Sequence, residues 1–149
     1  MVAPNISVPG CTFCEVVAGR LPSSELYADD LVLAFMDIRP INTGHLLVVP
    51  RSHAPELAYL PEATGSAMFT TAQRMAAALR GSGVPCDGIN FFLADGAVAG
   101  QEVDHVHLHV IPRFADDGFH LSATFLGPDR VDLDLTAQLI RAALDQLAG

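Results

Sequence analysis

The sequence predicts an α+β fold: a five-stranded antiparallel sheet with one main crossover helix and a C-terminal helix. Three observations carry that expectation. Five short apolar or alternating runs are separated by Gly, Pro, Asn and Asp, the residues that punctuate strands. One long stretch with helical spacing lies between the third and fourth runs, and a second amphipathic stretch closes the chain.

The elements follow in order. Residues 15–19 form a short helical turn ended by Gly19. Residues 25–28 and 31–38 read as two strands joined by a turn at Asp29 and Asp30. Residues 41–44 are a turn, after which His45 to Val49 is a continuous apolar strand bounded by Gly44 and Pro50, the pattern of a strand inside a sheet. Residues 61–80 recur at helical spacing, with Met68 and Met75 facing the core and Gly81 as the C-terminal cap. A loop over 81–85 leads past Cys86, an inert lone thiol, to a fourth strand over 89–93. The glycine-bearing loop 94–100 feeds the fifth strand, which Pro112 should end or confine to an edge. Beyond it come a turn at 116–118, an irregular segment over 119–128 and a helix over 132–148. Leu135, Leu139, Ile140, Ala143, Leu144 and Leu147 share one face of that helix, which calls for packing in cis or against a second subunit.

Composition sets the outer bounds. A chain of 149 residues is one domain by default, long enough to bury about two thirds of its unfolded surface. The hydrophobic fraction of 50% and mean hydropathy of +0.35 argue for a compact fold and against disorder. A net charge of −9 with only 8 basic residues provides no electrostatic footprint for nucleic acid or for an anionic membrane. Residues 1–10 have neither a basic region nor an apolar core, and no apolar run approaches the roughly 20 residues of a membrane span. A cytoplasmic protein is the expectation.

Chemistry concentrates in Asp104-His105-Val106-His107-Leu108-His109-Val110-Ile111-Pro112-Arg113. On a strand of period two, His105, His107 and His109 share one face, roughly 6.6–6.8 Å apart, and Val106, Leu108 and Val110 share the other. Three uses are open to such a row: surface histidines, a metal cluster, or a nucleophilic histidine whose neighbours bind an anion. Cys11-Thr12-Phe13-Cys14 is a second candidate, with redox, metal or accidental readings. A metal there needs two more ligands, most simply as a Cys2His2 zinc site. Taken alone, His45 reads as a core-edge residue bonded to backbone and His53 as an exposed loop residue.

The run Gly100-Gln101-Glu102-Val103-Asp104-His105-Val106-His107-Leu108-His109-Val110 resembles the signature of the histidine-triad nucleotide hydrolases. Phe13-Cys14, Tyr27 to Asp30, Leu33 to Ile38, Gly44-His45 and Val49 to His53 fall in the order seen in the bacterial members, so the likeness covers about residues 11–113 and leaves 114–149 as a variable segment. The resemblance implies a structural zinc on Cys11, Cys14, His53 and His105, with His105 also orienting His107 through its backbone carbonyl. It implies that His107 attacks the α-phosphorus of a nucleoside monophosphate carrying a leaving group. His109, His45, Gln101 and the backbone around Gly100, Glu102 and Val103 would hold the phosphate. Asp37 would take the ribose hydroxyls, and Phe13, Val16, Phe35 and Ile38 would wall the base. A purine nucleotide substrate (AMP or GMP moiety) and a homodimer are implied in the same way.

Two positions depart from the family pattern. Ala94 stands where relatives carry an asparagine, so one polar contact is missing or supplied by Asp95, at about 1–2 kcal/mol for a lost hydrogen bond. Asp104 stands where an aromatic is common. Beside the hydrolase, two readings follow from the same residues: a nucleotide-binding or interaction module with little turnover, and a nucleotidyltransferase in which another acceptor replaces water.

Overall fold

The structure is a computed structural model that describes residues 5–149. The chain forms two compact units, one ending at Phe119 and one spanning His120–Gly149. In the first, α1 (Thr12–Val17), β1 (Glu25–Ala28), β2 (Val32–Met36), β3 (Leu46–Pro50), α2 (Glu62–Gly81), β4 (Gly88–Phe92) and β5 (Leu108–Arg113) follow one another. The strands form one antiparallel sheet in the order β1-β2-β3-β5-β4. The predicted architecture of five antiparallel strands and a crossover helix is the one observed.

Period-two alternation gives the sheet two buried faces. Val32, Ala34, Leu46, Val48, Leu108 and Val110 pack with Met68, Ala72 and Leu79 of α2. Leu33, Phe35, Leu47 and Val49 point the other way and pack with Phe13 and Val16 of α1. Strand β3, a continuous apolar run in the sequence, is buried along its whole length because both its faces are covered.

Several boundaries differ from expectation, each for a local reason. Helix α1 begins at Thr12, earlier than the predicted 15–19, because Cys11 is its N-cap: the Cys11 sulfur accepts the Cys14 N–H at 3.5 Å. Strand β2 is shorter than 31–38, since Asp29 Oδ1 accepts the N–H groups of Leu31 and Val32 and completes the turn. Strand β5 starts only at Leu108, so His105 and His107 lie on extended chain before it and not on the strand proper. The backbone of this stretch bonds to loops: the His105 N–H donates to the Val103 carbonyl, and the Val106 N–H to the Ala54 carbonyl. Pro112 is inside β5, beyond the last residue paired with β3, where its missing N–H breaks no ladder on that side.

Gly44 lets the chain turn into β3. Its φ is +94°, and an added Cβ would meet Val84 Cγ1 at 2.9 Å, Leu79 Cδ2 at 3.0 Å and Pro112 Cγ at 3.3 Å. Gly44→Ala therefore combines left-handed strain with overpacking, and we expect a loss of about 2–4 kcal/mol in urea unfolding.

The second unit carries α3 (Arg130–Leu147), begun by Asp129, whose carboxylate accepts the Asp132 N–H at 2.9 Å. Its apolar residues, among them Leu139, Ile140, Leu144 and Leu147, are exposed. Among the described residues, no helix is long and apolar enough to cross a membrane.

Candidate functional site

All three histidines of the row project from the α1 side of the sheet, opposite Val106, Leu108 and Val110. They are not an open surface row: His105 is 0% and His107 6% exposed. Each imidazole has a partner that fixes its tautomer, and the tautomers assign different chemistry to each ring.

His105 donates its Nε2–H to the Pro50 carbonyl at 2.8 Å, since a carbonyl can only accept. Its Nδ1 lone pair then faces Cys11 Sγ at 3.4 Å and Cys14 Sγ at 3.6 Å, and His53 Nδ1 lies 3.4 Å from Cys14 Sγ. Two tetrahedral ligands, one sulfur and one nitrogen, sit roughly 3.6 Å apart around a shared zinc. The four donor atoms lie within 4.8 Å of one another. Burial pushes the His105 imidazole down to about 4, keeping it in the neutral form that ligates, with its outer nitrogen anchored as metal-bound histidines usually are. Burial also raises the Cys11 thiol, the cost that a bound cation offsets. The donor set and its geometry therefore fit a closed four-ligand metal site.

His107 donates Nδ1–H to the His105 carbonyl at 2.8 Å, which leaves the lone pair on Nε2. That atom makes no hydrogen bond among the described residues, and no buried side-chain N or O there is left without a partner. Nε2 of His107 thus has no protein partner among the described residues and reaches the surface. The Phe13 ring stands edge-on at 5.1 Å and holds the imidazole in place.

His45 and His109 form a directional chain. The Ile41 N–H donates to His45 Nδ1 at 3.0 Å, so neutral His45 carries its proton on Nε2, which faces His109 Nδ1 at 2.9 Å. His109 must then carry its own proton on Nε2. Burial lowers the pKa of both, that of His109 to about 4, with the neighbouring His107 and His45 adding to the effect and Asp37 and Glu102 opposing it. Burial thus favours the neutral form of both rings. Asp37, His45 and His109 lie close enough together to invite a second metal. The Ile41 N–H argues against one, because His45 would have to surrender the Nε2 proton with a donor already pointed at Nδ1.

The remaining predicted residues sort by position. Asp37 Oδ2 lies 3.4 Å from His45 Nε2 and 3.8 Å from His109 Nδ1. Gln101 is fully engaged with backbone: its Oε1 accepts Gly96 N–H at 2.7 Å, and its Nε2 donates to Pro55 at 2.6 Å and to Val103 at 2.9 Å. This holds the loop through Gly100, which adopts a left-handed φ of 96°, so that the N–H groups of Glu102 and Val103 are free of protein partners among the described residues. Phe13 and Phe35 pack edge to face at 5.7 Å in the second core cluster with Val16. Ile38 is 92% exposed. Asp95 turns away: its carboxylate accepts the Leu57 N–H at 2.8 Å. Ala94 is buried, and Asp104 is exposed, which lets a carboxylate replace an aromatic there without a desolvation cost.

The His105 carbonyl orients His107, as the resemblance implies. Sequence reasoning missed the Ile41 N–H and the Pro50 carbonyl, which set the other tautomers. No residue type encodes them. It also missed Arg113, which donates to both carboxylate oxygens of Asp117 (2.6 and 3.0 Å) and to Asn90 Oδ1 (2.6 Å). Asn42 reaches the same Asp117 at 2.8 Å and ties the turn before His45 to the end of β5. The Arg113 bond holds the Asp117 carboxyl well below the usual carboxylate range, so this lock contributes stability above a pH of about 4 and loses it as pH falls further. Asp117→Asn should flatten the acid limb of a thermal-stability profile.

Comparison with known proteins identifies the family. The HIT domain family matches residues 18–116. An uncharacterized HIT-like protein of Borreliella burgdorferi is 44% identical over 110 residues, 73% of this chain and 79% of its own. Adenosine 5'-monophosphoramidase HNT1 of Saccharomyces cerevisiae is 34% identical, covering 100% of this chain and 90% of its own. A zinc-bound histidine triad protein of Mycobacterium smegmatis superposes with a TM-score of 0.71 at 40% identity, covering 93% of this chain and 96% of that one. With the family matched over residues 18–116 and relatives of 34–44% identity covering 73–100% of the chain, the chain belongs to the HIT family.

Proposed function

We propose that this protein hydrolyses nucleoside monophosphates from a leaving group at the α-phosphorus, as in nucleoside phosphoramidates or dinucleoside polyphosphates. One observation carries the reading: His107 presents a free Nε2 lone pair while its Nδ1–H is held by the His105 carbonyl. His107 Nε2 forms a bond to phosphorus, and the leaving group departs with the electrons of the broken bond and takes up a proton. Water then attacks the nucleotidyl-imidazole, releases the monophosphate and restores His107.

The other groups stabilise charge on the phosphoryl oxygens. His109 offers its Nε2–H, and the free N–H groups of Glu102 and Val103 offer two more donors. His45 acts one step back, by fixing the His109 tautomer. Gln101 acts through the loop it pins, and Asp37 is the carboxylate for the ribose hydroxyls, beside Phe13, Phe35 and Ile38 for a purine. The four-ligand site takes zinc, which supplies structural stability. The named activity of the yeast relative supports the reaction class.

The direct test is rapid-quench mass spectrometry of wild type with adenosine 5'-phosphoramidate. A transient adduct of one nucleoside monophosphate on His107, followed by AMP, is expected. AMP binding with no turnover would leave a nucleotide-binding module, and capture of the adduct by an added phosphate acceptor would make it a transferase. His45→Phe removes the Nε2–H and keeps the volume. We expect kcat to fall about 10²-fold with KM little changed.

We further propose a homodimer formed across the β4 edge of the sheet. Phe91 and Phe92 on that edge are exposed, and Phe91 stands 6.1 Å from exposed Phe69 of α2. Phe91→Asp should shift sedimentation from dimer to monomer.

A further inference from the structure

All eight basic residues of the chain are arginines, against 17 carboxylates. One of them enters the candidate site. Arg39 N–H donates to Asp37 Oδ1 at 2.8 Å, while the other oxygen of the same carboxylate faces His45 and His109. The Arg39 guanidinium crosses to the opposite loop and donates through Nη2 to Glu102 Oε2 at 2.7 Å. Glu102 is the residue between Gln101 and Val103, so this ion pair joins the Asp37 segment to the loop that presents the phosphate-binding N–H groups.

Its two side chains are 80% and 72% exposed, a setting in which an ion pair adds little to folding stability. Its consequence is electrostatic. With His45 and His109 neutral, Arg39 is the permanent cation among these groups, and Glu102 cancels it. The charge of Asp37 is left over. A polyphosphate leaving group brings several negative charges into that field, whereas an amine leaving group brings none.

We propose that Glu102, by holding Arg39, selects against polyanionic leaving groups, and that Arg39 is a latent subsite for a phosphate beyond the α-phosphate. This rests on the hydrolase reading above. It predicts a coupled pair and not two independent charges: removing Glu102 helps a polyanion only if Arg39 is present to meet it.

The experiment compares wild type, Glu102→Gln, Arg39→Gln and the double variant. Two ratios are read: kcat/KM for diadenosine triphosphate over adenosine 5'-phosphoramidate, and affinity for ADP over AMP by calorimetry. Glu102→Gln should raise both ratios about tenfold at low salt, with the gain shrinking at high ionic strength. The double variant should fall back to the Arg39→Gln values. The proposal is overturned if Glu102→Gln leaves the ratios unchanged, or if the gain persists without Arg39. Should no variant turn over either substrate, the hydrolase reading fails, and the ADP-over-AMP ratio alone decides this one.

Discussion

His107→Ala is expected to lower kcat for adenosine 5'-phosphoramidate by at least about 10⁴-fold while AMP still binds. Removing the nucleophile of a two-step reaction abolishes the covalent route, and what remains is whatever positioning and charge stabilisation the other donors supply to a direct attack by water. The substitution also leaves the His105 carbonyl without its 2.8 Å donor. An unsatisfied carbonyl at such a depth costs about 1–3 kcal/mol, so thermal stability should fall modestly and metal content should not. His109→Ala separates the roles: it removes one donor to the phosphoryl oxygens, expected to cost about 10²–10³-fold. Steady-state AMP release, read alongside AMP affinity by calorimetry, decides both. Equal losses for the two variants would demote His107 from nucleophile to phosphate ligand.

How much of this was legible beforehand depends on the kind of contact. The sheet was, because strands such as His45 to Val49 and the row of alternating histidines carry their period in the residue types themselves. The gathering of Cys11, Cys14, His53 and His105 was, through family resemblance. Of the tautomers, only that of His107, held by the His105 carbonyl, was implied by the resemblance. Those of His105 and His45 are set by the Pro50 carbonyl and the Ile41 N–H, and a backbone group has no sequence signature. The same blindness explains Gln101, whose amide reads as a ligand for phosphate but is consumed by Gly96, Pro55 and Val103. It explains Asp95 as well, a carboxylate that could have replaced an absent asparagine but caps Leu57. Charge pairing at long separation, as between Arg39 and Glu102, is equally invisible until the loops are placed.

Cys14→Ser is expected to remove about one zinc per chain and to lower the melting temperature by about 10 °C. Cys14 is 2% exposed, and its sulfur lies 3.4 Å from His53 Nδ1 and 3.6 Å from His105 Nδ1, so no relaxation of the surface can replace it. Metal bound only by the folded chain adds its binding free energy to folding, and for a chain of this size each kcal/mol lost moves the midpoint by about 2–4 °C. Cys86, whose sulfur bonds to the Gly88 carbonyl outside the cluster, provides the control: Cys86→Ser should change neither metal content nor melting. The sign with pH follows from the ligands. Thiolates and neutral imidazoles are the binding forms, so falling pH must weaken the metal and rising pH restore it. The four-ligand site also reaches the proposed chemistry without touching the substrate. His105 is at once a ligand and the residue whose carbonyl orients His107. Loss of the metal frees His105 to move, and kcat should then fall in Cys14→Ser with AMP affinity largely kept. A protein that is metal-free as purified and melts no lower as Cys14→Ser would remove the site and this coupling together.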